Sequence, residues 1–196
     1  MTTEIIKRPT LGYTTPQTHY RCFYSLVLLV LFFDQITKYW ITDISGYERG
    51  VYPPYGGQEI IGGVFNLVYS INPGAAWGIL AGHGWIFIII AVLALLGIFL
   101  FRTQLELDRI PYQIVYGLII GGIIGNTIDR VRFGYVIDFL DVDLQFYRWP
   151  TFNIADSGIV VGTMWMIIFS QFLDRPRKQK PHPSIMAPLD RSALNK

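Results

Sequence analysis

Three aspartates, Asp129, Asp138 and Asp156, lie in or beside apolar sequence in the second half of the chain, and Asn126 and Asn153 accompany them. A charged group at membrane depth costs about 2.5–3.5 kcal/mol on insertion scales, so several such groups together indicate a site. If Asp138 and Asp156 face each other, they share one proton and one pKa rises. Such a pair can activate a water molecule while it protonates a leaving group, which is the chemistry of aspartic proteases.

The composition indicates an integral membrane protein. The 196 residues are 52% hydrophobic and only 15% charged, whereas soluble domains carry roughly 25% charged residues. The length suits one domain. A net charge of +2 gives no basic field for nucleic acid. The single cysteine, Cys22, excludes an intramolecular disulfide framework and a multi-cysteine metal site.

Long apolar segments predict an all-α membrane protein with four transmembrane helices. These segments are Tyr20–Ile41, Trp85–Phe101, Ile110–Ile128 and Ile154–Leu173. On the third segment Gly117, Gly121 and Gly125 recur every four residues, so one face is expected to let a neighbouring helix approach closely. Residues 129–153 are then expected to form an extramembrane segment.

The segment between the first two helices, residues 42–83, differs in character. Ile60–Ile61 and Val64–Ser70 are runs of strand-forming residues separated by Gly62-Gly63, a pattern that favours a hairpin. The Tyr47–Gly57 stretch is rich in Tyr, Pro and Gly and is expected to be a loop. The sequence therefore predicts a small sheet at the membrane surface.

Basic residues set the expected topology. They precede the first helix, separate the second from the third, and follow the fourth: Lys7, Arg8 and Arg21; Arg102 and Arg109; Arg175, Arg177, Lys178 and Lys180. The positive-inside rule places these segments in the cytoplasm. Two cytoplasmic tails, 1–19 and 174–196, would then flank the membrane domain 20–173. The costly polar residues would all gather near the outer surface: Asp34, Lys38, Asn126, Asp129, Arg130, Asp138 and Asp156.

Each of these residues also has a structural interpretation. Asp34 and Lys38 are spaced i, i+4 and can pair on one helix face. Arg130 can be an interfacial side chain with its charged end in the headgroups, and Asp156 a helix N-terminal charge. A small proton-coupled transporter and a noncatalytic membrane scaffold are the alternatives to an enzyme. The sequence has no Gly-x-Ser-x-Gly, His-Glu-x-x-His or P-loop motif.

Five blocks of sequence resemble bacterial lipoprotein signal peptidases, the aspartyl signal peptidase II family. The blocks are Asp34-Gln-Ile-Thr-Lys38, Asn72-Pro-Gly-Ala-Ala-Trp77, Gly121-Gly-Ile-Ile-Gly-Asn-Thr-Ile-Asp-Arg130, Gly134-Tyr-Val-Ile-Asp138-Phe and Phe152-Asn-Ile-Ala-Asp156-Ser. They occur in the family's order and cover roughly residues 20–173. The chain departs from the family at Trp77-Gly78, where Phe and a small polar residue are more frequent, and in the longer Tyr47–Gly57 stretch.

The resemblance implies that this protein removes the signal peptide of a prolipoprotein just before its diacylglyceryl-modified cysteine. It makes Asp138 and Asp156 the catalytic pair. It places six residues around the substrate: Asn72, Gly122, Asn126, Arg130, Asn153 and Ala155. Asp34, Lys38 and Asp129 are expected to be structural polar residues. The fold it implies adds an extracytoplasmic β-cradle and an amphipathic element to the four helices.

Partners and location follow from the same resemblance. The expected partners are the prolipoprotein signal peptide and membrane lipid, with no nucleic acid, no metal and no cofactor. A monomer is expected in the bacterial cytoplasmic (inner) membrane. Both termini would be cytoplasmic, and the active site would lie near the outer leaflet. There the lipid of the substrate can stay in the membrane while the scissile bond reaches a polar pocket.

Overall fold

A computed structural model describes residues 20–173. The predictions for the tails, residues 1–19 and 174–196, lie outside the described residues. Four helices and one antiparallel sheet make up the described part.

The four α-helices coincide closely with the predicted apolar segments. They are α1 (Arg21–Tyr39), α2 (Gly84–Leu100), α3 (Ile110–Phe133) and α4 (Ile154–Ile168). A π-helical turn extends α1 over Trp40–Ile44, and another extends α4 over Phe169–Leu173. Outside these helices, residues 20–173 contain no further α-helix. The outer connection between the sheet and α2 holds only a 3₁₀ turn at Ala76–Gly78, so the expected amphipathic element is not a separate α-helix there.

The third helix is longer than the sequence predicts. It continues five residues past Ile128 and ends at Gly134, whose φ of 80° is a left-handed C-cap conformation that glycine adopts readily. Arg130 and Arg132 in the last turn favour this extension, because cations stabilise the carboxyl end of a helix. The first five residues of the expected extramembrane segment 129–153 are therefore helical, and the extramembrane location of this segment stays a prediction.

Within residues 20–173, three helical stretches are long and apolar enough to cross a membrane: Arg21–Ile44, Ile110–Phe133 and Ile154–Gln171. The α2 helix is also apolar, but its 17 residues are shorter than these three. Since a perpendicular span needs about 20 residues, the role of α2 as a fourth span stays a prediction.

Glycines on α3 bring its neighbours into close contact, as their four-residue spacing predicts. A Cβ atom on Gly121 would lie 2.8 Å from the Cβ of Val30 on α1. One on Gly122, on the adjoining face, would lie 2.2 Å from the carbonyl oxygen of Ala155 on α4. The α3 helix therefore lies tightly between α1 and α4, at a separation that only glycine permits.

The sheet contains more strands than the sequence predicts. Its order is β1 (Gln58–Ile61), β2 (Phe65–Asn72), β3 (Val136–Asp143) and β4 (Arg148–Phe152), all antiparallel. The β1–β2 hairpin confirms the predicted small sheet. The all-α class is too narrow, because β3 and β4 double that sheet. The inward half of β3 is buried on both faces, so it lacks the alternation of polar and apolar residues that indicates a strand.

A small apolar cluster fixes the sheet on one end of the helix bundle. Ile41 follows α1 and packs with Ile137 and Phe139 of β3, each less than 5% exposed. Tyr47 and Leu67 pack around them. This cluster holds β3 directly over the helix ends, and thereby determines where the side chain between Ile137 and Phe139 lies.

Candidate active site

Asn153 connects the polar residues of three elements. It is fully buried and forms the N-cap of α4, where its side-chain oxygen accepts a hydrogen bond from the backbone N–H of Asp156 at 2.9 Å. Its side-chain nitrogen donates to Asp138 Oδ1 at 2.7 Å and to Asn126 Oδ1 at 3.0 Å. One amide thus links β3, α3 and the start of α4.

Asp156 occupies the first turn of α4 and completes a capping box with Asn153. Its Oδ2 accepts from the backbone N–H of Asn153 at 3.3 Å, and its Oδ1 accepts from the Asn126 side chain at 2.7 Å. The amino end of a helix favours a negative charge. The structural interpretation of Asp156 as a helix N-terminal charge is therefore correct, and it coexists with the position of this carboxylate beside a cavity.

Asp138 is the neighbouring carboxylate, on β3, and it is 1% exposed. Asn72 and Asn153 form side-chain hydrogen bonds to it. Burial, and then the negative charge of Asp156, raise the pKa of Asp138 from 3.8 to about 8, although Asn72, Lys38 and Asn153 oppose the shift. At neutral pH Asp138 therefore favours its protonated form, so the pair can hold one proton between two carboxylates.

A separate charge cluster lies behind this pair. Lys38 Nζ lies 2.8 Å from an oxygen of Asp34 and 2.8 Å from an oxygen of Asp129. Backbone N–H groups satisfy the carboxylates further: Ala155 donates to Asp34 at 2.9 Å, and Ile137 donates to Asp129 at 3.1 Å. The i, i+4 pair of the sequence is thus present, and it joins α1 to α3, α4 and β3.

Lys38 also connects the two groups of carboxylates. Its ammonium donates to Asn126 Oδ1 at 3.1 Å, while the amide nitrogen of Asn126 donates to Asp156. Gln35, which the sequence analysis did not single out, donates to Asp34 at 3.1 Å and to Asp129 at 3.2 Å. The only sequence signal for Gln35 was its place beside Asp34 in a polar interruption of an apolar segment.

Arg130 lies one turn after Asn126 on α3. Its guanidinium donates to the carbonyl of Gly74 at 3.0 Å and stacks over the ring of Phe87, 4.7 Å from the centroid. Its Nε atom is buried without a hydrogen-bond partner among the described residues. Arg130 therefore joins α3 to the loop after β2 and to α2, and it retains a donor for another group.

A cavity of about 740 Å³ lies between α2, α3 and α4; we call it the interhelical cavity. Its polar wall consists of Asn72, Asn126, Arg130 and Asp156, and Phe87, Ile90 and Val160 are among its apolar residues. Asn126 and Arg130 are four residues apart on α3 and share a helix face, since both side chains line this cavity.

A second cavity, of about 400 Å³, lies under the sheet; we call it the sheet cavity. Asp138, Asp141, Arg148 and Tyr52 line it, and none of its lining residues comes from α1–α4. The segment 149–151 lines both cavities. This segment was not among the predicted site residues, although the proline at position 150 is a signal for an edge strand.

Three of the residues expected around the substrate lie behind the cavity walls. Asn153 and Ala155 are fully buried, and Gly122 is at the α3–α4 contact. Their described contacts hold the carboxylates and the helices in place. Asn72, Asn126 and Arg130 do reach a cavity, and substrate contact stays a prediction for all six residues.

Residues 26–172 match the family model described as Signal peptidase (SPase) II. The chain belongs to the signal peptidase II family. Family membership establishes a membrane protease that processes lipoprotein signal peptides, and it favours the enzyme over the transporter and the scaffold.

Individual relatives agree with the family match. The chain is 41% identical over 161 residues to a lipoprotein signal peptidase of Psychromonas ingrahamii, covering 79% of this chain and 87% of that protein. It is 38% identical to the lipoprotein signal peptidase of Bacillus subtilis, covering 81% and 97%. A solved bacterial membrane enzyme superposes with a TM-score of 0.70 at 33% identity, covering 82% of this chain and 93% of that one. The similarity to a membrane enzyme and the apolar helices together establish a multi-pass membrane protein.

Proposed function

We propose that this protein is an aspartic endopeptidase of the bacterial inner membrane that cuts diacylglyceryl-modified prolipoproteins just before the lipidated cysteine. Asp138 and Asp156 are the catalytic pair in this proposal. The observation that carries it is their arrangement: Asn153 donates to both carboxylates, to Asp138 from its side chain and to Asp156 from its backbone N–H, and each carboxylate borders a cavity. The neighbouring carboxylates of Asp34 and Asp129 are instead ion-paired with Lys38.

The proposed reaction needs one proton on the pair. The ionised carboxylate removes a proton from a water molecule as its oxygen attacks the scissile carbonyl carbon, and the protonated carboxyl gives its proton to the carbonyl oxygen. The tetrahedral intermediate then collapses: the nitrogen takes the proton that came from the water, the C–N bond breaks, and one hydroxyl of the intermediate returns its proton to the carboxylate that was the initial donor as the new carboxyl group forms. The raised pKa of Asp138, about 8, supports its role as the initial proton donor.

Asn72, Asn126 and Arg130 are the proposed substrate-positioning groups. The Asn126 side chain already donates to Asp156, so it can orient this carboxylate toward the scissile bond. Arg130 has a buried Nε without a partner among residues 20–173 and lies in the wall of the interhelical cavity. A guanidinium offers five N–H donors in a rigid arrangement, which suits carbonyl groups of an extended peptide.

The proposal places the acidic pair near the outer leaflet of the inner membrane, with both termini in the cytoplasm. The sheet at the helix ends that carry Asp156 and Arg130 supports a position of these residues at the membrane boundary rather than at its centre. A diacylglyceryl group can then remain among the lipids while the peptide bond enters the polar region. The protein is proposed to act as a monomer.

Asp138→Asn and Asp156→Asn test the catalytic pair. Each variant is expected to lower turnover of a diacylglyceryl-modified peptide by at least about 10³-fold while it still accumulates in the membrane. Asp43→Asn is the control, because Asp43 is an exposed aspartate just beyond α1. Near-normal cleavage by either catalytic variant would exclude the assignment. Cleavage of an unlipidated peptide as fast as the lipidated one would exclude the membrane-anchored pose.

A further inference from the structure

The two carboxylates of the proposed pair border different cavities. Asp156 lies in the wall of the interhelical cavity, and Asp138 lies in the wall of the sheet cavity. A peptide bond held between them must therefore send its two sides in different directions. Since a protease binds residues on both sides of the bond that it cuts, the second cavity requires an occupant of its own.

The walls of the two cavities differ in kind. Ile90, Ile123 and Val160 are among the residues that α2, α3 and α4 contribute to the interhelical cavity. The sheet cavity has no wall residue from these helices, and Arg148 and Asp141 give it charge. An apolar signal peptide matches the first environment. Polar residues that leave the membrane match the second, because burying them among apolar helices without partners costs free energy.

Arg148 is held in place at the sheet cavity. Its Nε lies 3.3 Å from Asp141 Oδ1, and its Nη2 lies 3.2 Å from Asp143 Oδ2. Its guanidinium stacks over the ring of Tyr52, 4.8 Å from the centroid. Asp141 is fully buried and also accepts from the Asn66 side chain at 2.7 Å. Both ion pairs are made through Nε and Nη2, so Nη1 is the nitrogen that can donate to a ligand.

The edge of the sheet connects the two cavities. The strand β4 is the last in the sheet order, and Pro150 within it has no N–H to give a further strand. The residues Trp149 and Thr151 on either side of it line both cavities. An extended peptide lying along β4 therefore passes from the interhelical cavity, past the carboxylates, into the sheet cavity.

We propose that the sheet cavity binds the first residues of the mature lipoprotein, those that follow the lipidated cysteine, and that Arg148 positions their backbone carbonyls. This inference rests on the proposed function, since it assigns the carboxyl-terminal side of the same scissile bond. Arg148 is a positioning residue in this scheme. It determines how much of the binding comes from residues beyond the cut, and it has no part in the proton transfers.

Two matched peptides test the assignment. Both carry the same signal sequence and a diacylglyceryl-modified cysteine; the short one ends at that cysteine as its amide, and the long one continues for five residues. The test variant is Asp141→Asn with Arg148→Gln, which removes both charges together because loss of Arg148 alone would leave the buried carboxylate of Asp141 without its cation. The control is Glu106→Gln with Arg109→Gln, an ion pair before α3 and far from the sheet.

The variant is expected to lower kcat/KM for the long peptide at least tenfold, mainly through KM, and to change the value for the short peptide less than twofold. Arg148→Lys is expected to fall between the variant and the wild type on the long peptide. The control pair is expected to leave the ratio of the two peptides unchanged. Equal losses on both peptides, or no loss on either, would overturn the inference.

Photolabelling decides the question even if the double variant fails to fold. A long peptide with a benzoylphenylalanine at the second residue after the cysteine is bound to the full chain carrying Asp156→Asn. Labels are expected within residues 52–78 or 141–151. Labels on α2 or α4 would overturn the inference while leaving the proposed function intact. Failure of the wild type to cut either peptide would instead reject the proposed function.

Discussion

Two groups of carboxylates, Asp34 with Asp129 and Asp138 with Asp156, lie side by side in this protein, and their surroundings differ. Asp34 and Asp129 are at most 1% exposed, and both contact the ammonium of Lys38 at 2.8 Å. Asp138 is equally buried, but its hydrogen bonds come from amide groups, and it borders a cavity, as does Asp156. Burial alone therefore does not identify a reactive acid. The first two carboxylates are engaged by a cation, whereas Asp138 and Asp156 lie beside open space and amide donors, where a substrate can reach them.

Lys38→Met removes the cation that pairs with Asp34 and Asp129, and it is expected to have the largest effect on the fold. Methionine keeps most of the side-chain volume but leaves Asp34 and Asp129 buried without their cation, which costs about 3–5 kcal/mol. Thermal unfolding in detergent and the yield of folded protein measure this loss. Asp156→Asn provides the contrast, since it is expected to lose turnover while its Tm stays close to that of the wild type. A Lys38→Met protein with wild-type Tm and turnover would show that Asp34 and Asp129 do not depend on this cation, and would contradict their structural role.

Arg130→Ala tests whether Arg130 acts on the substrate or only on the fold. This residue contacts the loop after β2, and it also faces the interhelical cavity. Hydrogen bonds to charged groups contribute about 1.5–3 kcal/mol, so turnover of the lipidated peptide is expected to fall about 10- to 100-fold, more than the Tm change accounts for. Arg132→Ala, two residues further on an exposed face, is the control. A loss of cleavage that only follows the loss of folded protein would make Arg130 structural.

The proton of Asp138 is expected to make both the free energy of unfolding and turnover depend on pH. Its pKa rises from 3.8 to about 8 on folding, mainly through burial and then through the charge of Asp156. Between these pH values the folded protein holds a proton that the unfolded chain has released. The free energy of unfolding therefore falls as pH rises through this range, and the fall levels off above about pH 8. Above its pKa of about 8, Asp138 has lost the proton that it would donate, so turnover is expected to decline above about pH 8.

Tm values of the wild type and of Asp138→Asn at pH 5, 6.5 and 8 check this expectation. The decline is expected to be smaller in the variant, because the other ionisable groups are common to both proteins. Identical pH profiles for the two proteins would show that the proton of Asp138 is not coupled to folding.

Trp77→Phe is expected to have the smallest effect. The Trp77 indole is 68% exposed and donates to the hydroxyl of Tyr147 at 2.8 Å. A hydrogen bond of this kind contributes about 0.5–1.5 kcal/mol net, so peptide turnover is expected to change less than about tenfold. Tyr147→Phe removes the same bond from the other side, and the double variant should add little to either. Strictly additive losses would show that the two side chains act independently.

The sequence was sufficient for the helices and for the convergence of the polar residues. Asp34 and Lys38 one turn apart on one helix, and Asn126 and Arg130 one turn apart on another, determine which faces meet once the four helices alternate in direction. The observed contacts from Lys38 to Asp34 and to Asn126 confirm that convergence. Helical spacing decides which residues share a face, and the alternating direction of the helices, predicted from the basic residues, decides that these faces meet at one level.

The parts that escaped prediction depend on contacts between distant segments. The strand β3 is buried on both sides at its start because Ile41 and the helix ends cover it, and no local pattern records that cover. Asn153 has the sequence signature of a helix N-cap, but its bonds to Asp138 and Asn126 depend on the positions of β3 and α3. The sheet cavity likewise exists only after β3 and β4 pair.

The i, i+4 pair on α1 has a consequence for how the chain enters the membrane. Asp34 and Lys38 are on α1, which is synthesised before α3 with its Asp129, and the backbone donor to Asp34, Ala155, follows 121 residues later. Because Asp34 and Lys38 contact each other at 2.8 Å, α1 can be inserted as a neutral unit. The final partners arrive only when α4 is in place. Biosynthesis therefore delays a functional active site until the last helix has been inserted, and a partly synthesised chain has no assembled acid pair with which to cut neighbouring proteins.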